Sequence, residues 1–202
     1  PPLFNDGGTL VLNQVEITGN ETANGVYGTY RGSDGGHGAG LSSLGGTVVL
    51  TDSQVTGNRT GDGGDGGTGL NSFGGNGGAG GGIYLSSGGV ISATRSVVAQ
   101  NLTGAGGYGN RYPDGYGGSG GPGTGIYVGE GGLTLVDSSG AQTTSGDGGS
   151  GCGDISSPVG CTAGFGAGIA VVGSAQNASL ELSNTVVQGS LVGLPGSLAV
   201  LG

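Results

Sequence analysis

The 202-residue sequence contains no lysine, methionine or tryptophan, and its only fixed cations are four arginines. Its formal net charge is −9 at pH 7, and only 8% of its residues are charged. A chain with so few cations cannot neutralise many phosphates, which argues against nucleic acid or an anionic membrane surface as a partner. No apolar run reaches the roughly 18–20 residues that a bilayer-spanning helix needs, so direct membrane insertion is not expected.

Helical periodicity is also missing from the sequence. No stretch of ten residues repeats its apolar positions with the 3.6-residue period of a helix, so helices are not expected. Glycine, by contrast, supplies 57 of the 202 residues, which is about four times its usual share. Such a composition indicates disorder unless a repeat organises it, and here one does.

Short apolar alternations recur along the chain. They begin at Leu10, Val48, Ile91, Leu133 and Leu180, which are 38, 43, 42 and 47 residues apart. A second short strand follows the alternation, and a third closes the unit after a long glycine-rich segment, as in GGIYLSS at 81–87. Three short strands in each unit of roughly 43 residues are typical of a solenoid.

We therefore predict an all-β, right-handed parallel β-helix that forms a single domain over residues 1–202. Its five coils are expected at 7–44, 45–87, 88–130, 131–178 and 179–202. A propeller blade would need four strands joined by hairpins, which the repeating unit does not provide. The alternation predicts one shared interior, whose inward residues are Leu10, Leu12, Ile17, Leu41, Val48, Leu50, Val55, Ile83, Leu85, Ile91, Ala93, Val98, Ile126, Val128, Leu133, Leu135, Ile169, Val171, Leu180, Leu182 and Val187.

Four glycine-rich loops interrupt the coils, at 21–40, 59–82, 102–125 and 144–168. Each loop leaves after the second strand and returns at the third, so the loops are expected on one side of the solenoid. Glycine-rich chains can pack closely because no side chains separate them, and Gly-Gly-X spacing suits extended left-handed segments that bond to their neighbours. We predict a layered glycine lobe; mobile loops are the alternative.

Cysteine is scarce as well. The two cysteines, Cys152 and Cys161, lie nine residues apart in CGDISSPVGC. The lack of lysine, methionine and tryptophan, together with abundant small polar residues, favours an extracellular location, where such a pair forms a disulfide. We expect the disulfide to brace the last glycine-rich loop; two free thiols are the alternative.

An asparagine follows the second strand of three coils. Asn20, Asn58 and Asn101 each lie three residues after an inward aliphatic residue. Asparagine tolerates the left-handed backbone of a sharp corner, and stacked amides can bond from coil to coil, which predicts an asparagine ladder. Each of the three also begins an Asn-x-Thr sequon, and Asn177 begins a fourth sequon with serine. A glycan cannot be attached to an inward amide, so ladder and glycosylation are alternatives at each site.

Three stretches of the sequence carry a family resemblance: LFNDGGTLVLNQVEITGN, GGIYLSSGGVISATRSVVAQN and GIYVGEGGLTLVDSS. They resemble the right-handed β-helix repeats of bacterial secreted proteins, including polymorphic outer membrane proteins and autotransporter-passenger-like surface repeats. The resemblance covers the strand portions of all five copies. It implies the β-helix fold and an extracellular or cell-surface location, and the family includes adhesins and structural surface proteins. The long glycine loops depart from the family's short connections.

The residues that catalytic β-helices use are scarce here. A lyase of that architecture needs a Ca²⁺-binding aspartate cluster with a basic residue, and neither Arg59 nor Arg95 stands in such a cluster by spacing. Asp52 and Asp137 occupy the same turn two coils apart, which places them roughly 10 Å apart if the coils stack. Any residue that is repeated two coils apart has that separation, so the pair is not evidence for a catalytic site. We therefore predict a protein that is not an enzyme and that has no cofactor or metal.

The two ends of the sequence align with one another. Leu3 and Phe4 match the third strand of a coil, and Leu198 and Val200 match the same strand. Unpaired parallel edges without lysine invite pairing with another chain. Either the sequence is a slice of a longer solenoid, or copies of it stack head to tail. We therefore expect head-to-tail self-assembly into a filament, or a role in a surface stalk or adhesin.

The alternative function is that of a carbohydrate-binding or carbohydrate-active β-helix. Aromatic side chains in a row on an outer surface are the feature expected of such a protein. Tyr84 and Tyr127 stand on successive coils, and Tyr108, Tyr112 and Tyr116 lie in the glycine loops. These five tyrosines form the possible ligand surface, with surface glycans as the partner.

Overall fold

The computed structural model of the chain describes residues 3–67, 72–109, 117–141, 143, 145–146, 168–172, 178–187, 191–193 and 198–200. The described residues contain 17 β-strands and no helix, which confirms the predicted all-β class. The strands are β1 (Leu3–Asp6), β2 (Thr9–Asn13), β3 (Glu16–Thr18), β4 (Leu41–Leu44), β5 (Thr47–Thr51), β6 (Gln54–Thr56), β7 (Ile83–Ser86), β8 (Gly89–Thr94), β9 (Val97–Ala99), β10 (Ile126–Val128), β11 (Gly131–Val136), β12 (Ser139–Ala141), β13 (Ile169–Val171), β14 (Ala178–Ser183), β15 (Val186–Val187), β16 (Leu191–Gly193) and β17 (Leu198–Val200).

The strands form three parallel sheets. Sheet A has the order β1-β4-β7-β10-β13-β16, sheet B has the order β17-β14-β11-β8-β5-β2, and sheet C has the order β15-β12-β9-β6-β3. The chain visits the sheets in rotation, so each strand pairs with its equivalents in the preceding and following coils. This arrangement confirms the predicted parallel β-helix.

Ranks of aliphatic side chains fill the interior of the solenoid. Strand residues point alternately inward and outward, and the parallel register places equivalent residues of successive coils on the same side of the sheet. In sheet B, for example, Val48 pairs with Ile91 and Ile91 pairs with Leu133. The predicted inward residues are buried, except for Leu10 and Val187, which are partly buried against the same core.

The last strand corrects one sequence prediction. The alignment of Leu198 and Val200 with the strand of Leu3 and Phe4 is wrong, because β17 pairs with β14 in sheet B whereas β1 lies in sheet A. The sheet A position of the last coil belongs to β16, which pairs with β13. Only residues 188–190 separate β15 from β16, so the last coil reaches sheet A without a long loop. A Leu-x-Val alternation fits either sheet, and the sequence pattern alone does not distinguish them.

Each of the first three long loops runs outward along one segment and comes back along another. The described outgoing segments are 21–28, 59–66 and 102–109, and the described return segments are 31–40, 73–82 and 117–125. The two segments of one loop bond to each other, as from Gly36 N–H to Ala23 O and from Gly78 N–H to Gly61 O, both at 2.9 Å. Together these segments form the glycine lobe.

The loops of successive coils bond to each other with a period of three residues. This is the period of the polyproline II helix, which has three residues per turn and no internal hydrogen bonds. These bonds between the loops show the predicted layering of the glycine lobe in the described residues. The N–H to O bonds between outgoing segments are Thr22 to Arg59, Gly25 to Asp62, Gly28 to Asp65, Thr60 to Leu102, Gly63 to Ala105 and Gly66 to Tyr108, at 2.7–3.1 Å.

Close backbone contacts explain the glycine content of the lobe. A Cβ atom at Gly61 would lie 2.0 Å from Ala23 O, and one at Gly104 would lie 1.9 Å from Gly61 O. Real Cβ atoms essentially never approach another heavy atom within 3.0 Å. Asp62 and Asp65, at every third position, are partly or fully exposed. The sequence GDGGDGG thus places one outward side chain in each turn and packs the other two positions against neighbouring segments.

The first two loops differ in length at the tip of the lobe. Gly28 bridges Gly66, which lies 38 residues later, whereas Arg31 bridges Phe73, which lies 42 residues later. The additional residues of the second loop therefore lie between these two bridges. The parallel register is kept on both sides of the tip.

Candidate functional site

Two tyrosines predicted as a ligand surface lie on the outer face of sheet A. Tyr84 in β7 pairs directly with Tyr127 in β10, because the parallel register places equivalent residues side by side. Their rings are stacked, with centroids 5.2 Å apart and an angle of 2° between the planes. Burial raises the pKa of Tyr127, and the neighbouring Tyr84 adds to this shift. The Tyr127 phenol is therefore protonated at neutral pH.

A histidine from the glycine lobe extends the tyrosine pair. In sheet A, the residue that pairs with Tyr84 on the side of the first coil is Ser42, which has no ring. The ring of His37 stacks on Tyr84 instead, with 5.0 Å between the centroids and 11° between the planes. His37 Nδ1 accepts a hydrogen bond of 2.8 Å from Ala79 N–H. Desolvation lowers the pKa of His37, opposed by the charge of Asp34. We call His37, Tyr84 and Tyr127 the aromatic stack.

A second rank of side chains runs beside the aromatic stack. Asp34, Asn76 and Ser119 occupy equivalent positions in three return segments, 42 and then 43 residues apart. Asn76 N–H donates to Asp34 Oδ1 at 2.7 Å, and Ser119 N–H donates to Asn76 Oδ1 at 2.9 Å. The side chains of Asp34 and Asn76 thus each accept a bond from the backbone of the next coil. We call these three residues the polar rank.

An open groove of about 340 Å³ lies between the polar rank and the aromatic stack. Gly77, Ala79, Gly120 and Pro122 complete its lining. Among the described residues that line it, Asp34 is the single formally charged one, and none is an arginine. We call this cavity the side groove; its surface combines ring edges, amide and hydroxyl groups, and one carboxylate.

Sequence reasoning found only part of the side groove. The residues Tyr84 and Tyr127 were recognised from their spacing, whereas His37 and the polar rank were not. The signal for the polar rank was a polar residue at the third position of successive Gly-Gly-X segments. Tyr108 is 60% exposed in an outgoing segment and does not line the groove. Tyr112 and Tyr116 lie outside the described residues.

The corner asparagines form hydrogen bonds from coil to coil. Asn58 Oδ1 accepts from Asn20 N–H at 3.1 Å and from Asn20 Nδ2 at 2.8 Å, and Asn101 Oδ1 accepts the same pair from Asn58 at 3.0 Å. The Nδ2 groups of Asn58 and Asn101 also donate to Ile17 O and Val55 O. Asn58 and Asn101 are fully buried, so an attached glycan has no space at either amide.

The threonines of the same sequons have a structural role of their own. Thr60 Oγ1 donates to Gly78 O of its own return segment at 2.7 Å and accepts from Gly104 N–H of the next coil at 2.9 Å. Thr22 and Thr103 make the equivalent pairs of bonds. The Asn-x-Thr spacing in these three coils therefore joins the corner to the first turn of the lobe. Asn177, Cys152 and Cys161 lie outside the described residues.

The turn between sheets B and C carries paired charges that spacing did not reveal. Asp52, Arg95 and Asp137 hold the same left-handed turn position, with φ of 49–50°. Arg95 donates to both carboxylate oxygens of Asp52, at 2.7 and 2.8 Å. These bonds hold the pKa of Asp52 below its ordinary value. Arg59 is also paired, with Glu21 and Asp62. Both arginines thus neutralise neighbouring carboxylates.

Two features are absent from the described residues. No group of three or more histidine, cysteine, aspartate or glutamate side chains within them is arranged to hold a metal ion. No helix within them is long and apolar enough to cross a membrane.

No protein-family model, curated protein or solved structure matches the chain. The resemblance to secreted β-helix repeats stays a prediction from the strand motifs.

Proposed function

We propose that the chain is a non-enzymatic structural module of an extracellular or cell-surface assembly that extends by stacking coils end to end. The observation that supports this most directly is the single parallel register that runs through all three sheets and the glycine lobe. In such a solenoid each coil is a template for the next, because equivalent groups are presented in the same positions.

The first coil offers the groups that a preceding coil would use. Strands β1, β2 and β3 are edge strands within the described residues. Asn58 and Asn101 each accept bonds from the preceding asparagine, whereas Asn20 Oδ1 has no donor among the described residues. A further coil, from more of the same chain or from a second copy, would supply that donor and pair the edges.

The glycine lobe suits a load-bearing role. Hydrogen bonds in the sheets and in the lobe both run from coil to coil, so separating two coils requires both sets to break together. The lobe also widens each layer without adding a large aliphatic core. These features favour a stiff spacer, as in a filament or a stalk.

Assembly can be tested by analytical ultracentrifugation over a concentration series and by negative-stain electron microscopy. We expect elongated polymers with an axial repeat of about 25–30 Å, because five to six rungs of about 4.8 Å make up one copy. A monomer at every concentration would overturn end-to-end self-assembly of this chain.

A matched pair of variants separates edge pairing from general solubility. Phe4→Lys places a charge on edge strand β1, where Phe4 is 56% exposed. Val90→Lys places the same charge on central strand β8, where Val90 is 45% exposed. We expect Phe4→Lys to weaken assembly at least several-fold and Val90→Lys to leave it unchanged. Equal effects of both variants would contradict pairing through the edge of β1.

A further inference from the structure

We propose that the side groove binds a neutral, linear polysaccharide that lies along the solenoid axis. This inference is independent of end-to-end assembly and rests on the arrangement of the aromatic stack and the polar rank. It assigns a ligand class to a surface that combines residues of three coils.

The groove repeats its contacts once per coil. Ring centroids in the aromatic stack are 5.0 and 5.2 Å apart, and the residues of the polar rank are joined from one return segment to the next by hydrogen bonds of 2.7 and 2.9 Å. A ligand that matches this surface carries similar groups at regular intervals along a line. An extended sugar polymer does so, because the same sugar unit with the same kinds of hydroxyl group recurs at a fixed interval along the chain.

The polar rank keeps hydrogen-bonding capacity for a ligand. Its backbone bonds use Asp34 Oδ1 and Asn76 Oδ1. Asp34 Oδ2 and Asn76 Nδ2 make no hydrogen bond within the described residues, and both side chains are exposed. The groove thus offers one acceptor and one donor that are already positioned, which suits hydroxyl groups that both donate and accept.

The aromatic stack contributes ring edges instead of open ring faces. The two rings of each neighbouring pair cover one another, and Tyr84 is covered on both sides. The rings therefore form an apolar wall against which the carbon–hydrogen edges of sugar rings can pack. This geometry favours a chain that runs along the stack over a single sugar that lies flat on one ring.

Charge selects the class of polysaccharide. Asp34 is the one formally charged residue among the described residues of the lining, and the lowered pKa of His37 keeps that ring neutral at pH 7. The described lining holds no arginine that could pair with uronate, sulfate or phosphate groups. An anionic polymer would meet uncompensated repulsion from Asp34, whereas a neutral polymer would not.

Two soluble polymers with the same backbone provide the probes. Affinity gel electrophoresis with hydroxyethyl cellulose is expected to retard the protein, and carboxymethyl cellulose is expected to retard it far less. Absence of binding to hydroxyethyl cellulose, or equal or tighter binding to carboxymethyl cellulose, would overturn the proposal. Neither result would bear on assembly, which is measured in the absence of polymer.

Asn76→Asp is the informative variant. It keeps an Oδ1 acceptor for Ser119 N–H but removes the Nδ2 donor and adds a charge, so binding to hydroxyethyl cellulose should fall about tenfold or more, the ratio that one lost bond of ordinary strength gives. Asn24→Asp is its control, because Asn24 Oδ1 accepts from Asp62 N–H in the same way but lies outside the groove. Equal binding of hydroxyethyl cellulose by both variants would refute the assignment of the side groove as the binding site. Equal melting temperatures of the two variants would show that both are folded.

Discussion

The imidazole ring of His37 lies parallel to the phenol ring of Tyr84, although the two residues belong to different coils and different elements. His37 is part of the first return segment, and Tyr84 is part of β7. The same imidazole accepts a hydrogen bond from Ala79 N–H in the second return segment. One side chain therefore joins two layers of the lobe to the outer face of sheet A.

Stability should fall on acidification because His37 must be neutral to accept the Ala79 bond. The pKa of His37 lies below its ordinary value of 6.5 in the folded chain, mainly through desolvation, with Asp34 opposing. The unfolded chain therefore binds the proton more readily. The contribution of the neutral ring is complete above pH 6.5 and is lost as the pH falls below 6.5 towards the folded-state pKa. Urea midpoints at pH 7.5 and pH 5.5 measure this loss.

His37→Phe is the control for the pH dependence. Phenylalanine keeps a ring that can stack on Tyr84 but has no proton to gain. Its urea midpoint should change less between the two pH values than that of the parent chain. Equal changes in both proteins would assign the pH dependence to other groups.

Replacing Gly140 by alanine should stabilise the fold. In the inward rank of sheet C, Gly140 stands between Val98 and Val187, and a cavity of about 10 Å³ adjoins it. A Cβ atom there would approach only Val98 O, at 3.7 Å, and the φ of Gly140 lies outside the left-handed region. We expect about 0.5–1 kcal/mol of added stability, read as a higher denaturant midpoint. An unchanged or lower denaturant midpoint would contradict the presence of unfilled space beside Gly140 in sheet C.

A glycine-to-alanine substitution in the glycine lobe should instead destabilise the fold. A Cβ atom at Gly104 would lie 1.9 Å from Gly61 O, so the neighbouring segment must move. Gly104→Ala should cost about 1–3 kcal/mol, as overpacking does elsewhere. Hydrogen exchange should show the loss of protection at Gly104 and at the segments beside it. Unchanged protection there would mean that the lobe is less closely packed than described.

Replacing a buried asparagine of the ladder should destabilise the fold more than replacing the asparagine at the end of the ladder. Asn58→Ala leaves the N–H of Asn20 and the carbonyl of Ile17 without their partner, at about 1–3 kcal/mol for each unsatisfied buried group. Asn20→Ala is the matched variant, because Asn20 is only partly buried and its Oδ1 accepts no bond within the described residues. Thermal unfolding compares the two, and an equal loss would contradict coupling along the ladder.

The strands and the interior could be predicted because the sequence contains two periods, the two-residue alternation within a strand and the longer repeat from one coil to the next. Alternation of period two fixes which residues of a strand point inward, and its recurrence at Leu10, Val48 and Ile91 fixes the register between coils. The corner position of Asn58 followed from the same alignment. Each of these inferences needs only equivalent positions within the repeat.

Contacts between non-equivalent positions could not be predicted in this way. His37 stacks on Tyr84 only because the return segment passes Ser42, where sheet A has no aromatic ring. The ion pair of Arg95 with Asp52 does join equivalent turn positions, but the repeat alone does not predict it, because the residue type at this position changes from coil to coil. Leu198 was misplaced because its pattern is shared by two sheets.

The bridges at Gly28–Gly66 and Arg31–Phe73 show where the repeat can change its length. The four extra residues of the second loop enter beyond the last rung of the outgoing segments, and neither the sheets nor the packed glycines are shifted by them. A change of loop length between these two bridges therefore leaves the described layers of the solenoid in step on either side of it.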